Sequence, residues 1–502
     1  MAKYNVPSKG KDKVVNKEGA EAYSMNPEME LYSLVCTSIM QPKFYETEEE
    51  QLDRLRKLIG QCSDEFVGKL AVYARDKMYL RLIPLVLAVE LARKKSKLTA
   101  NVLDKVIQRA DEITETLAYY QFANQRTDTK KLNKLSNQLK KGIAKAFHKF
   151  SEYQLAKYNR DSVVKLKDAM FLTHPKPKNK EEEILFKKIA NDTLEVPYTW
   201  EVELSKLGQQ KFETEQEKKK AFTQKWEELI DSKKVGYMAL LRNLRNILNA
   251  DVSSKHITKV CDFLSSAESV RKSKQLPFRF FSAYREIESN PSFSNSQVAT
   301  ALEEAVKISI ENLKGVEGKV LIACDVSGSM ESTISPKSSV ERYDIGLLLG
   351  QLLSLKTPAN KVGIFGDTFK IKHFTSKEPL QNTLRLHEIE GEVGYSTNGY
   401  KVIDWLLENN TIVDKIFIFT DCQMWDSYGG GNTFASHWIA YKKIAPNCQL
   451  HLFDLAGYGD TPVSIKGNDV YFVAGWSDKV FEMLEAIKQG QSVVQKIKEI
   501  EL

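Results

Sequence analysis

Lys319-Val320-Leu321-Ile322-Ala323-Cys324-Asp325-Val326-Ser327-Gly328-Ser329-Met330 is where the chain changes character. Five apolar residues in a row, followed by an aspartate and a Ser-Gly-Ser turn, read as a fully buried strand that opens into a polar loop. The pattern recurs in KVGIFGD (361–367), KIFIFTD (415–421), QLHLFDLA (449–456) and DVYFVAG (469–475). Helical stretches lie between these runs: RYDIGLLLGQLLSL (342–355), GYKVIDWLLENN (399–410), ASHWIAYKKIA (435–445) and SDKVFEMLEAIKQ (477–489). Strand and helix alternate, so residues 318–502 are expected to form a doubly wound parallel sheet with helices on both faces.

Upstream the texture is different. From 25 to 317 apolar residues recur at helical spacing, as in EFVGKLAVYARDKM (65–78), RLIPLVLAVELARKK (81–95), NVLDKVIQRADEITETLAYY (101–120) and MALLRNLRNILNA (238–250). The helices are short and joined by brief polar breaks, which favours stacked helix pairs of the HEAT-like kind over a compact bundle. HPKPKNKEEE (174–183) should be an exposed connection, and the charged stretch 208–228 a solvated helix or excursion. Residues 1–24 read as a basic N-terminal tail. The chain is therefore multi-domain, an all-α repeat module followed by an α/β module.

Composition removes several classes of protein. With 42% hydrophobic and 10% aromatic residues in 502, there is enough apolar mass for sizeable cores, so wholesale disorder is excluded. The longest apolar run, Leu82 to Ala92, contains Glu90 and falls short of the ~20 residues a membrane span needs. No apolar segment follows the first lysines, so secretion is not expected. Six scattered cysteines without a CxxC pair read as reduced thiols of a cytoplasmic protein.

The net charge of +7 hides an asymmetry. Residues 1–300 carry +13, with +11 concentrated in 51–150, and residues 301–502 carry −6. A basic half points to a polyanion, RNA or DNA above all, although solvated helix faces use the same lysines. Within it, Lys157, Tyr158, Arg160, His174 and Lys176 combine phosphate-binding cations with rings able to stack on an unpaired base.

In the α/β half, Asp325, Ser327 and Ser329 project from one loop at a strand's carboxyl end, the usual ligand position of such sheets. Thr397 and Asp421 lie at corresponding ends. This all-oxygen set suits a divalent metal, Mg²⁺ above all, and leaves a coordination position for a carboxylate or phosphate. A capping loop would use similar residues. GDTFK (366–370) lacks the spacing of a phosphate-binding Walker loop, and no catalytic triad is recognisable, so a non-enzyme is expected.

The DxSxS–Thr–Asp set resembles the metal-ion-dependent adhesion site of von Willebrand factor A domains, over about residues 319–488. KYNRDSVVKLKDAMFLTHPKP (157–177), VPYTWEVELS (196–205), MALLRNLRNIL (238–248) and LPFRFFSAY (276–284) resemble the TROVE module of the Ro ribonucleoprotein family. Order and spacing extend the resemblance over essentially the whole chain.

The resemblance implies a ring of HEAT-like repeats closed by the von Willebrand A domain. It also implies small Y-type RNA bound on an outer basic surface, and single-stranded ends of misfolded non-coding RNA held in a central hole. Lys157, Arg160 and His174 match the Y-RNA-contacting stretch, with the arginine one place nearer the lysine than in the family pattern. Arg242 and Arg245 either face the hole or brace helix ends. A monomer that cooperates with a 3′ exoribonuclease is the implied assembly. A metal-dependent protein-interaction scaffold is the rival reading.

Overall fold

The computed structural model describes residues 12–38, 43, 45–125, 135–159, 162–289, 296–311, 313–334, 338–374, 376–425, 433–466, 469–488 and 491–502. The chain divides into two compact units. One comprises residues 1–55 and 236–493, the other 56–235 and 494–502.

The second unit is helical. Polar breaks supply the caps that start its helices. Ser63 accepts from the Phe66 N–H at 3.1 Å, Ser136 from Leu139 at 3.1 Å and Asn179 from Glu182 at 2.8 Å. Neighbouring helices pack as successive pairs: Asp64–Asp76 with Leu82–Arg93, Leu166–Thr173 with Lys180–Ala190, and Trp200–Gly208 with Glu215–Asp231. The apolar run predicted as a core helix is Leu82–Arg93, buried from Ile83 to Ala92. Its Glu90 is tolerated because Arg56, Arg93 and the Tyr119 hydroxyl surround the carboxylate at 3.2, 2.5 and 2.8 Å. No described helix is long and apolar enough to cross a membrane.

The first unit is built on a sheet. In chain order its strands are β1 (Lys13–Val15), β2 (Glu21–Ser24), β3 (Val320–Asp325), β4 (Asn360–Phe365), β5 (Phe369–Lys372), β6 (Lys415–Thr420), β7 (Gln449–Asp454), β8 (Asp460–Thr461) and β9 (Val470–Ala474). The main sheet runs β5-β4-β3-β6-β7-β9. All its neighbours are parallel except β5, which pairs antiparallel with β4. This is the doubly wound order, with the switch between β3 and β6. All six residues of β3 are buried. Gly318 turns into it at φ +92°, where a Cβ would lie 2.5 Å from the Asp414 carboxylate that accepts the Lys319 N–H at 2.6 Å.

The fold corrects two expectations. The described part of the N-terminal tail is folded: β1 and β2 form a hairpin whose second strand pairs with β8. Apolar Ala22 and Tyr32 reach the core, and the Tyr32 hydroxyl donates to the Ala474 carbonyl at 2.9 Å. The residues around Gly318 separate two textures of sequence, yet helices Pro277–Glu288 and Ser296–Ser309 belong to the sheet-bearing unit. Arg285 bonds Asp344 at 2.9 Å, and Phe278 meets Trp476 edge to face at 6.5 Å.

Glu303 is a third tie of the same kind. It is buried and accepts the Leu380 and Gln381 N–H groups at 3.2 and 2.8 Å, at the start of helix Pro379–Glu388. Burial pushes its carboxyl up to about 7. A folded-state value above that of the unfolded chain means the folded form binds the extra proton, so stability falls as pH rises between the two. Urea midpoints should therefore decline from about pH 5 to about pH 7, at up to ~1.4 kcal/mol per pH unit from this group. Glu303→Gln should flatten that decline, and an unchanged slope would remove Glu303 from the account.

Candidate functional site

The parallel register of β3 and β6 pairs Cys324 with Phe419, which sets Asp325 beside Thr420 and Asp421. The Thr420 hydroxyl donates to Asp325 Oδ2 at 2.5 Å, and the Ser327 N–H donates to Oδ1 at 3.0 Å. The hydroxyls of Ser327 and Ser329 lie 3.4 Å apart. Gly328 N–H donates to the Tyr395 carbonyl at 2.9 Å, and Trp425 N–H to the Thr397 carbonyl at 2.8 Å. The Thr397 loop is thus stitched to the loops of both aspartates. Asp325, Ser327, Ser329, Thr397 and Asp421 are all buried.

Burial, and then the neighbouring Asp421, push the Asp325 carboxyl up; burial also raises Asp421. Asp421 Oδ1 accepts the Gln423 N–H at 2.9 Å, while its Oδ2 is buried without a hydrogen-bond partner. Two buried carboxylates of like charge and an unsatisfied oxygen are costly in isolation. A hard divalent cation would relieve both, and the surrounding donors are all oxygens. The predicted set therefore fits such an ion.

Around it lie groups that sequence reading missed. Asp454, raised by burial, accepts the Ala456 and Gly457 N–H groups at 2.9 and 2.8 Å and the Ser33 hydroxyl. Asp460 is pushed up to about 7 by burial and accepts from Gln423 at 2.9 Å. Arg342, 3% exposed, lies within electrostatic range of Asp421 and leaves Nε and Nη1 unpartnered. Asn16 donates to the Met424 carbonyl at 2.7 Å, and Lys17 N–H to Gln423 Oε1 at 2.7 Å, so the N-terminal hairpin grips the Asp421 loop. A second cluster, Glu341, Asp344 and His387, is already compensated, because Arg285 holds Asp344 Oδ2.

The cationic candidates fall in both units. Lys157 lies in the last turn of helix Glu152–Tyr158, its ammonium 5.6 Å from the Tyr158 ring centroid. Arg109 covers the same ring at 4.7 Å and was not foreseen, being distant in sequence. His174 ends helix Leu166–Thr173 in the left-handed region at φ 49°, with its N–H on the Met170 carbonyl at 2.9 Å and its side chain exposed. Lys176 is exposed, and Arg160 lies outside the described residues.

Arg242 and Arg245 are exposed on helix Tyr237–Asn249, in the sheet-bearing unit. Arg245 pairs with Glu286 at 3.0 Å, and Arg242 lies within electrostatic range of Arg279. In the basic window, the described arginines 54, 56, 75, 81, 93 and 109 are all ion-paired to carboxylates. Lysines such as Lys95 and Lys97 are exposed there, so ammonium groups contribute to the solvent-facing positive charge of this window.

The TROVE domain family model matches residues 33–225 and 192–296. The chain thus joins a helical-repeat module with a mostly parallel α/β sheet in one polypeptide. It belongs to the Ro/TROVE family, a family of RNA-binding ribonucleoprotein components. It is similar to telomerase protein component 1 of Mus musculus, 40% identical over 92 residues, and to that of Rattus norvegicus, 41% identical over 91 residues. These alignments span 18% of this chain and only 3% of either relative. The crystal structure of the Deinococcus radiodurans Ro (RSR) protein shares the fold at TM-score 0.58 and 16% identity, covering 93% of this chain and 100% of that one.

Thr420→Val should cost ~1–3 kcal/mol, because it strips a hydroxyl donor from the buried Asp325 carboxylate. Urea denaturation in chelator checks this, and an unchanged midpoint would show the contact to be dispensable.

Proposed function

We propose that this chain is an RNA-binding ribonucleoprotein component. It takes small structured, Y-type non-coding RNA on the cationic surface around Lys157, His174 and Lys176. Single-stranded ends of misfolded RNA are held in a central hole, and the RNA bound on the outer surface gates access to it. The observation that carries the reading is the exposure of His174 and Lys176 in the unit that holds the Arg109–Tyr158–Lys157 stack, while that unit's neighbouring arginines are consumed by ion pairs. Ammonium and imidazole groups left facing water are the ones free to replace phosphate counterions. Family membership supports the same class of ligand.

The chain acts in the cytoplasm as a monomeric binder, presenting RNA ends to a 3′ exoribonuclease and performing no chemistry of its own. In the sheet-bearing unit, Asp325, Ser327, Ser329, Thr397 and Asp421 would hold Mg²⁺. The ion would fix these loops and offer a coordination position to an acidic group, as in von Willebrand A domains. This chain's own residues shape that site: Thr420 and the Ser327 N–H orient Asp325, and the Gln423 N–H orients Asp421.

Electrophoretic mobility of a structured small RNA should show Lys157→Ala with His174→Ser binding ~10-fold more weakly, with the log–log salt slope reduced by about 1. Affinity and slope both unchanged would defeat the RNA surface. For the ion, Mg²⁺ at a hundredfold excess over its Kd should stabilise the wild type by about 3 kcal/mol. Asp421→Asn should lose that gain in thermal denaturation, and an equal gain in the variant would place the ion elsewhere.

A further inference from the structure

The motif around Val196-Pro197-Tyr198 is unused by the surface just described, yet it lines a cleft of about 600 Å³ in the helical unit. Glu152, Tyr153, Glu195 and Lys234 complete the lining. That volume lies within the range of small-molecule sites, about 300–1,000 Å³. Tyr153, 44% exposed, sits one helical turn from Lys157, so ring and ammonium share one face of helix Glu152–Tyr158. Val196 and Pro197 add an apolar part of the lining, and their segment is held in place. Val196 is exposed, Pro197 restricts it to extended backbone, and the Glu195 N–H donates to Glu152 Oε1 at 3.4 Å. The Tyr198 ring is fixed through its hydroxyl on Glu228 at 2.9 Å, and the Lys234 ammonium lies 4.9 Å from its centroid.

We propose that this cleft is a nucleobase subsite that takes an unpaired guanine from RNA. This rests on the RNA-binding reading and names the base the surface selects. Tyr153 is the stacking platform, Val196 and Pro197 close the other side, and Lys234 at the rim meets a flanking phosphate. The carboxylates give the selectivity. Glu152 holds Lys188 at 2.8 and 2.9 Å, whereas Glu195, its side chain 83% exposed, meets the same ammonium only at 3.6 Å through Oε1, so Glu195 keeps acceptor capacity toward the cleft. Guanine alone among the RNA bases presents two adjacent donors, N1–H and the N2 amino group, in a geometry that matches one carboxylate. Adenine and cytosine offer one amino donor each, and uracil a single N3–H between two carbonyls that the carboxylate would repel.

The test uses fluorescence anisotropy of the full chain with labelled hexauridylate and with the same oligomer carrying one central guanosine or adenosine. The guanosine oligomer is expected to bind on the order of ten-fold more tightly than hexauridylate, and more tightly than the adenosine one. Tyr153→Ala and Glu195→Ala should each erase that preference while leaving hexauridylate binding in place, and Tyr153→Phe should retain it. Lys157→Ala should weaken all three oligomers alike. Hexauridylate binding without a guanosine preference, or a preference that survives both alanine variants, overturns the subsite and leaves the RNA reading standing. No binding of any oligomer or structured RNA at low salt overturns both.

Discussion

The side-by-side parallel pairing of β3 and β6 is the constraint on which the sheet-bearing unit turns. Parallel strands finish at the same edge, so their terminal polar residues must share one small volume. Here that volume receives Asp325, Thr420 and Asp421 together, with backbone N–H groups from the loops that follow. Placing anionic groups at such an edge is expensive, and the surrounding sequence answers with hydroxyl and amide donors. The Asp454 turn at the end of β7 repeats the same solution with Ala456 and Gly457. The acidic edge is therefore a property of the sheet's topology, written at the ends of β3, β6 and β7, and the N-terminal hairpin grips it at Gln423 and Met424.

The helical unit distributes charge by a different rule. Arginine serves inside and between helices, where one guanidinium reaches both oxygens of a carboxylate, as Arg75 Nη2 does with Glu112. The buried Glu112 accepts from Arg75 at 2.8 and 3.0 Å and from the Gln108 and Arg109 N–H groups at 2.8 and 3.0 Å. Lysine is left for the surface, where a strongly hydrated point charge costs little to keep in water and much to bury. Arg109 belongs to both regimes, paired to Asp111 and also laid over Tyr158. That ring is the hinge between a bracing network and a face open to ligands.

How much of this could be read from residues alone depends on run length. The cores of β3, β6 and β9 are unbroken apolar runs, and those of β4 and β7 are interrupted only by Gly363 and the buried His451. The four residues Phe369–Lys372 alternate like any amphipathic fragment and gain strand character only by pairing with β4. β1 and β8 are shorter still, β2 is no longer, and the three exist through one another. Of the candidate oxygen set, Asp325, Ser327, Ser329 and Asp421 follow from the ends of β3 and β6, whereas Thr397 sits in a loop before helix Tyr400–Glu408 that no strand announces. Asp454, Asp460 and Arg342 were not legible, since only tertiary packing gathers them. His174 caps its helix through the backbone while its ring points to water, a distinction that spacing cannot carry.

The hairpin of β1 and β2 has a consequence for synthesis. Its partner β8 and the loop it grips at Gln423 and Met424 lie some four hundred residues downstream. As the polypeptide leaves the ribosome, residues 56–235 are made as an uninterrupted block long before that partner exists, and the helical unit then lacks only residues 494–502. The helical block can consequently consolidate through local contacts, while the earliest-made strands wait unsatisfied for the last-made third of the chain. Vectorial production thus puts the nascent N-terminus among the last pieces to find its place, and leaves it the segment most exposed to chaperones and proteases in the interval.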